Sequence, residues 1–228
     1  MMQRTLWLLI MLAWPLTPAI SQQPRNLDPE RYRSEIDLFK KFDARNTTPA
    51  RPILFIGSSS ISFWETAGAF PEYPIINRGL GGSVFPDLLY YYDDIVKKYK
   101  PAVVVIYCDN DVLFGSAPET ALQHFKELSG KIAKDFPRAP VVFLSMKPTP
   151  DLDAATRAIL DTTNKMFKSF AESQPNLHYV DVATSMLGND GQVKPDIFLS
   201  DREHLNPEAY KTLWNPIVKK QLSKLYKR

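Results

Sequence analysis

Toward the carboxyl end of this 228-residue chain, Asp201 and His204 stand three residues apart in the run Asp201-Arg202-Glu203-His204-Leu205-Asn206. On a turn, side chains so spaced meet side by side: the carboxylate accepts from one ring nitrogen, and the other nitrogen is left to take a proton from a hydroxyl. Hydroxyls that could use such a base are grouped at Ser58, Ser59 and Ser60, directly after Gly57. Two further stretches rich in small and polar residues follow apolar runs, Arg78-Gly79-Leu80-Gly81-Gly82 and Cys108-Asp109-Asn110-Asp111. Serine, imidazole and carboxylate in one protein point to acyl transfer through a nucleophile and its base.

Each of these residues also has a plainer use. Ser58 or Ser59 could cap the helix that follows. Gly79 and Gly81 suit a tight turn, and Asn77, which opens that stretch, reads as structural. A lone Cys108 past an apolar run is a small buried hydrophobe more readily than a nucleophile, and Asp111 fits a loop cap. The chain holds only His124, His178 and His204. His124 falls inside a helical pattern and His178 opens a strand, so those two read as surface or packing residues. No spacing of His, Cys or carboxylates suggests a metal site, so neither metal nor cofactor is expected.

Elements that place such residues can be read from the apolar pattern. Residues 53–56 (ILFI), 74–77 (PIIN), 103–107 (VVVIY) and 141–144 (VVFL) are short continuous apolar runs of the kind that form strands buried on both faces, and residues 179–182 form a weaker fifth. Helical patterns separate them at residues 85–99, 117–136 and 154–173, and another follows at 207–226. An amphipathic leading helix is expected over residues 29–46, with Tyr32, Ile36, Phe39 and Phe42 on one face. Alternation of strands with helices of this length predicts a single α/β domain, a three-layer α/β/α sandwich around a mainly parallel sheet of about five strands. Ligands of such sheets bind outside the carboxyl ends of the strands, where the serines, the glycines and the Cys108–Asp111 stretch lie.

These four stretches, in this order and over these intervals, resemble the sequence blocks of the SGNH (GDSL-type) hydrolases, and most of all the platelet-activating-factor acetylhydrolase-like branch. The resemblance spans residues 52–226 and implies a flavodoxin-like fold. In that family the first block reads Gly-Asp-Ser. Gly57-Ser58-Ser59 matches it, which places the nucleophile at Ser59 and puts Ser58 where the family has Asp. Gly82 corresponds to the glycine whose N–H enters the oxyanion hole. Asn110 corresponds to the Asn of Gly-x-Asn-Asp, whose amide is the remaining donor beside the Ser59 N–H, with Cys108 in place of the usual Gly. Asp201 and His204 match Asp-x-x-His, and Leu205-Asn206-Pro207 with Tyr210 resembles the start of the family's final helix; Arg202 and Glu203 stand where small or apolar residues are usual. The resemblance implies a serine esterase acting through an acyl-enzyme. With no lid-like apolar insertion between the blocks, a short acyl group such as acetyl, carried by a carbohydrate, is the expected substrate. A lysophospholipase or thioesterase is the alternative within the enzyme class. A non-catalytic SGNH-fold domain that binds an acylated glycan is the alternative outside it, suggested by the departures at Ser58, Cys108, Arg202 and Glu203.

Composition sets the remaining bounds. A chain 44% hydrophobic and 23% charged has the balance of a globular protein. The formal net charge of +3 comes from scattered basic residues rather than one basic face, so no nucleic-acid partner is expected. One cysteine excludes an intramolecular disulfide. Arg4, the apolar run LWLLIMLAW at 6–14 and Ala19-Ile20-Ser21 follow the grammar of a cleaved secretory signal over residues 1–21. The organisation expected is therefore a signal (1–21), a linker and leading helix (22–51) and the hydrolase domain (52–228), secreted or periplasmic, with no stable membrane anchor once the signal is removed. Intact-mass analysis of exported protein should find an N-terminus close to Gln22; full-length chain recovered from the cytosol would contradict the signal.

Overall fold

The computed structural model describes residues 27–227, so the expected signal lies outside the described residues. Strands β1 (Ile53–Gly57), β2 (Ile75–Gly79), β3 (Val103–Tyr107), β4 (Val141–Leu144) and β5 (Leu177–Val180) form one parallel sheet in the order β2-β1-β3-β4-β5. Every residue of β1, β3 and β4 is buried, which is why their sequences run apolar without alternation. The chain steps from β1 to β2 on one side and then to β3 on the other, so β1 and β3 flank the crevice at which the direction of winding reverses.

Helices cover both faces. In chain order they are α1 (Arg33–Arg45), α2 (Ser59–Ser62), α3 (Thr66–Ala69), α4 (Phe85–Tyr90), α5 (Tyr92–Ile95), α6 (Asn110–Leu113), α7 (Pro118–Asp135), α8 (Ala154–Glu172), α9 (Pro207–Ala209) and α10 (Asn215–Leu225). On one face Tyr32, Ile36, Leu80, Phe85, Phe125 and Phe167 pack against the sheet. On the other Ile61, Trp64, Leu205, Tyr210, Trp214 and Val218 do so. This is the three-layer α/β/α sandwich that the sequence pattern predicts. The leading helix joins the core: Ile36 is fully buried and Tyr32 nearly so.

Three boundaries differ from the sequence reading. The pattern over 85–99 is divided among α4, α5 and a 3-10 turn at Lys97–Tyr99, after which Lys100 adopts a left-handed conformation before Pro101, a position where the following proline disfavours αR. The final helical pattern widens into a π-helical stretch at Tyr210–Trp214. Pro216, which has no N–H for the Thr212 carbonyl and whose ring crowds it, accounts for the widening. The fifth strand begins two residues earlier than its apolar pattern, because Leu177 pairs with Val141, whereas buried Val182 lies beyond the strand with its N–H donated to Ser145 Oγ.

Gly57, the last residue of β1, has φ of 136°, and a Cβ there would come within 1.8 Å of the Tyr107 carbonyl oxygen. Gly57→Ala should therefore destabilise the fold by about 3 kcal/mol or more, read as a large fall in melting temperature. An unchanged melt would show that the β1 to α2 turn can relax.

Candidate active site

At the carboxyl end of β1 the chain turns sharply into α2, with Ser58 at the N-cap and Ser59 as its first residue. The Ser58 hydroxyl does not cap the helix. It donates to Asp109 Oδ1 at 3.1 Å, a contact wholly inside the protein. Asp109 Oδ2 accepts from the Tyr107 hydroxyl at 2.6 Å and lies 3.8 Å from Lys147 Nζ, and the Lys147 N–H donates to the Tyr107 oxygen at 3.2 Å. One buried carboxylate thus ties together the ends of β1, β3 and β4. Burial pushes the Tyr107 phenol well up, so it serves as a donor. Ser59 is half-buried, and its hydroxyl makes no hydrogen bond to the described residues.

The two loops beside β1 meet at Ser83. Gly82 has φ of 75°, a left-handed conformation that favours glycine. The Asn110 amide donates one proton to the Ser83 carbonyl at 3.0 Å, leaving its second N–H uncommitted, and the Cys108 thiol lies 3.3 Å from the same oxygen. Cys108 is fully buried, and desolvation raises its pKa well above the ordinary thiol value, so it is a packing group and not a nucleophile. Asp111 caps α4 by accepting from the Phe85 N–H at 2.8 Å. Its other oxygen lies 3.0 Å from His124 Nδ1, and this hydrogen bond raises the His124 pKa. The Tyr32 hydroxyl donates to the Gly81 carbonyl at 2.8 Å, so the leading helix braces the glycine loop.

Asp201 and His204 do meet: Nδ1 and Oδ2 are 2.8 Å apart. Asp201 Oδ1 also accepts from the N–H groups of Glu203 and His204, each at 2.9 Å. These backbone bonds first, and the imidazole second, hold its pKa down at about 2. An ionised carboxylate only accepts, so Nδ1 carries the proton and Nε2 is the free base. Arg202 takes a left-handed φ of 58°, and its guanidinium turns away to Asp151 at 2.8 Å. Glu203 is exposed, and its side chain makes no bond to the imidazole; only its N–H supports Asp201. Ser59 and His204 are not hydrogen-bonded. They are linked through Phe63, whose N–H donates to the Ser59 carbonyl at 2.8 Å and whose ring lies 4.5 Å from the imidazole. Catalytic hydrogen bonds are commonly long or unformed before substrate binds.

Asn77 is structural, as expected: its amide donates to the carbonyls of Ile61 and Trp64, pinning the α2 to α3 turn to β2. The sequence assigns no role to Lys147, Tyr107 or Asp109; the only signal is their position at or just past strand ends. His178, on β5, is half-buried and belongs to no site. A cavity of about 390 Å³ lies at the opposite edge of the sheet, against Val141 and Leu177, and its single ionisable lining side chain is Lys126, so it offers no acid or base chemistry.

A parallel α/β sheet carrying a serine turn at its switch point, an Asn amide beside it and an Asp-His pair on a late loop defines an SGNH-type serine ester hydrolase. The chain belongs to the GDSL-like lipase/acylhydrolase family, whose profile matches residues 64–212 and so takes in Gly82, Asn110, Asp201 and His204. Solved structures share the fold. A Streptococcus pneumonia protein provisionally described as a platelet activating factor is 21% identical with a TM-score of 0.71, over 86% of this chain and 94% of that one. A GDSL-like lipase from Bacteroides thetaiotaomicron is 19% identical with a TM-score of 0.69, over 87% and 98%. A mutant of Axe2, an acetyl-xylooligosaccharide esterase from Geobacillus, is 16% identical with a TM-score of 0.60, over 80% and 98%. A comparison with curated proteins finds no match.

The buried Asp109 and Lys147 side chains, 5% and 2% exposed, form a pair whose halves should not be separable. Asp109→Asn alone should cost about 3–5 kcal/mol by stranding the ammonium. The double variant Asp109→Asn/Lys147→Met should recover part of that in thermal melts. Equal stability of the single variant and wild type would show that the carboxylate is not holding Lys147.

Proposed function

We propose that this protein removes short acyl groups, acetyl foremost, from the hydroxyls of a carbohydrate, by way of an acyl-enzyme on Ser59. The observation that carries the reading is the Asp201 to His204 hydrogen bond of 2.8 Å, which fixes the proton on Nδ1 and leaves Nε2 as a base, on an imidazole whose ring packs against Phe63. Ser59 Oγ attacks the ester carbonyl carbon while its proton passes to Nε2. The N–H groups of Ser59 and Gly82 and the free amide proton of Asn110 stabilise the oxyanion. Collapse breaks the bond to the alcohol oxygen, which takes the proton from His204, and water repeats the sequence to release the acid. Helix α2 is only four residues long, so its contribution is the pair of unbonded first-turn N–H groups more than a macrodipole. No cofactor takes part in this scheme. The absence of an apolar insertion over the site supports a short acyl group, and residues 1–21 support action outside the cytoplasm.

Two sets of measurements test this. Ser59→Ala should lower kcat on p-nitrophenyl acetate by ~10⁴-fold or more and His204→Ala by a similar factor, with Asp201→Asn costing ~10²-fold or more. Ser58→Ala should keep substantial activity, although it leaves Asp109 Oδ1 without its donor. Glu203→Gln should stay within about twofold of wild type, because only the Glu203 backbone is used. A crippling Glu203→Gln beside a near-normal Asp201→Asn would reassign the acid, and a reversal between Ser58 and Ser59 would move the nucleophile. The Asp201 carboxylate is held at about 2 by hydrogen bonds the unfolded chain lacks, so the stabilisation it gives should be present above the ordinary carboxylate value and be lost as pH falls toward 2, which melts across the acid range would read.

A further inference from the structure

Helices on opposite faces of the sheet supply the two halves of the site. Gly82 and Asn110 sit on loops whose neighbours, Leu80, Phe85, Cys108 and Val112, belong to the core on the α4 side. His204 and Phe63 adjoin Leu205 and Trp64, which belong to the core on the α10 side. An ester attacked by Ser59 must then lie across the end of β1 with its carbonyl oxygen toward the α4 side. Its leaving oxygen must face the α10 side, because that oxygen receives the proton from His204. On that second side a cleft of about 620 Å³ opens between α3 and the His204 loop, lined by Phe63, Gly68, Leu199, Tyr210, Glu65 and Lys211.

We infer that this cleft is the subsite for the alcohol half of the ester and takes a sugar ring, an inference that rests on the ester-hydrolase reading above. Phe63 and Leu199 are the large apolar side chains left open at the site, 54% and 36% exposed, and exposed apolar surface beside a reacting centre marks a contact surface. Phe63 touches the imidazole, and the Leu199 N–H donates to the His204 carbonyl at 2.8 Å, so both plates are fixed relative to the base. The Tyr210 hydroxyl is spent on the Ser60 carbonyl, so it offers its ring to the floor. Glu65 and Lys211 line the rim with opposite charges, and Lys211 already faces Glu208 at 3.5 Å. A neutral ring with an apolar face and a hydroxylated edge matches apolar plates, one of them aromatic, inside a balanced polar rim.

Acylation alone sees the alcohol; every acetate ester gives the same acetyl-enzyme. A groove for the alcohol therefore affects kcat/KM in proportion to the leaving group and leaves the common deacylation constant alone. A Cβ added at Gly68 would meet no atom within 4 Å, so a side chain can leave the backbone there, and Gly68→Trp puts bulk at the cleft. Gly68→Trp and Leu199→Ala are to be compared with wild type on glucose pentaacetate, ethyl acetate and ethyl butyrate, with deacylation followed by single turnover. Gly68→Trp is expected to lose ~10-fold more kcat/KM on glucose pentaacetate than on ethyl acetate, and Leu199→Ala about threefold more. Equal losses on the two acetates would overturn the inference. So would no loss on either, or a change in the ratio of ethyl butyrate to ethyl acetate, which would make the cleft an acyl site. A wild-type protein that turns over none of the three esters would instead remove the hydrolase reading, and the inference with it.

Discussion

A charged carboxylate inside a protein has to be hydrogen-bonded or paired, and the carboxyl edge of this sheet is organised around meeting that demand for Asp109. Its two oxygens are met from three directions: Ser58 at the end of β1, Tyr107 at the end of β3, and Lys147 past β4. None of these atoms touches substrate in the proposed reaction. They fix the residues that would, since Ser58 precedes Ser59, the proposed nucleophile, and Asp109 precedes Asn110. A family pattern that places a carboxylate where Ser58 stands here is thus compatible with this chain, whose carboxylate comes from the neighbouring strand. Putting a second acid at 58 would set two like charges against each other in a dry interior.

Around that centre the supporting contacts are short and local. Ser83 gathers Asn110 and Cys108 on one carbonyl, Asp111 caps α4, and Tyr32 holds the glycine loop. The Asp-His loop depends on its own backbone and on an exposed ion pair. Arg202 sits in a left-handed conformation that an ordinary side chain avoids, and two N–H bonds to Asp201 together with the Arg202 to Asp151 pair hold it there. Arg202 and Glu203, which depart from the family pattern, leave the imidazole alone for that reason.

Strand positions and the alternation of layers were legible in the sequence because burial on both faces writes itself as continuous apolar runs. Three strands, β1, β3 and β4, are buried throughout and fall on such runs; β2, at the edge of the sheet, falls on its run although it is mostly half-buried, and β5 is displaced because Val182 is buried without being paired. The Asp201 to His204 contact was legible for a similarly local reason, three residues on a turn. Contacts carried by pairing across the sheet were not. Nothing in the residues around Lys147 announces that its ammonium lies beside Asp109, and His124 reads as a surface residue until the fold sets it against Asp111. The breaks at Tyr91 and Val96 were hidden because the buried positions on either side keep a helical spacing even where the backbone does not.

The turn that carries Ser59 is tied down by residues far along the chain. Tyr210 donates to the Ser60 carbonyl at 2.8 Å from 150 residues away, and Trp64 Nε1 donates to Asn215 Oδ1 at 2.9 Å from 151. The serine turn therefore lacks these two ties until Tyr210 and the start of α10 have docked against it. Contacts of such long sequence separation form late, since loop closure must come before they return any stabilisation. The geometry at Ser59 is in this sense set by a docking event 150 residues away in the sequence rather than by the turn itself.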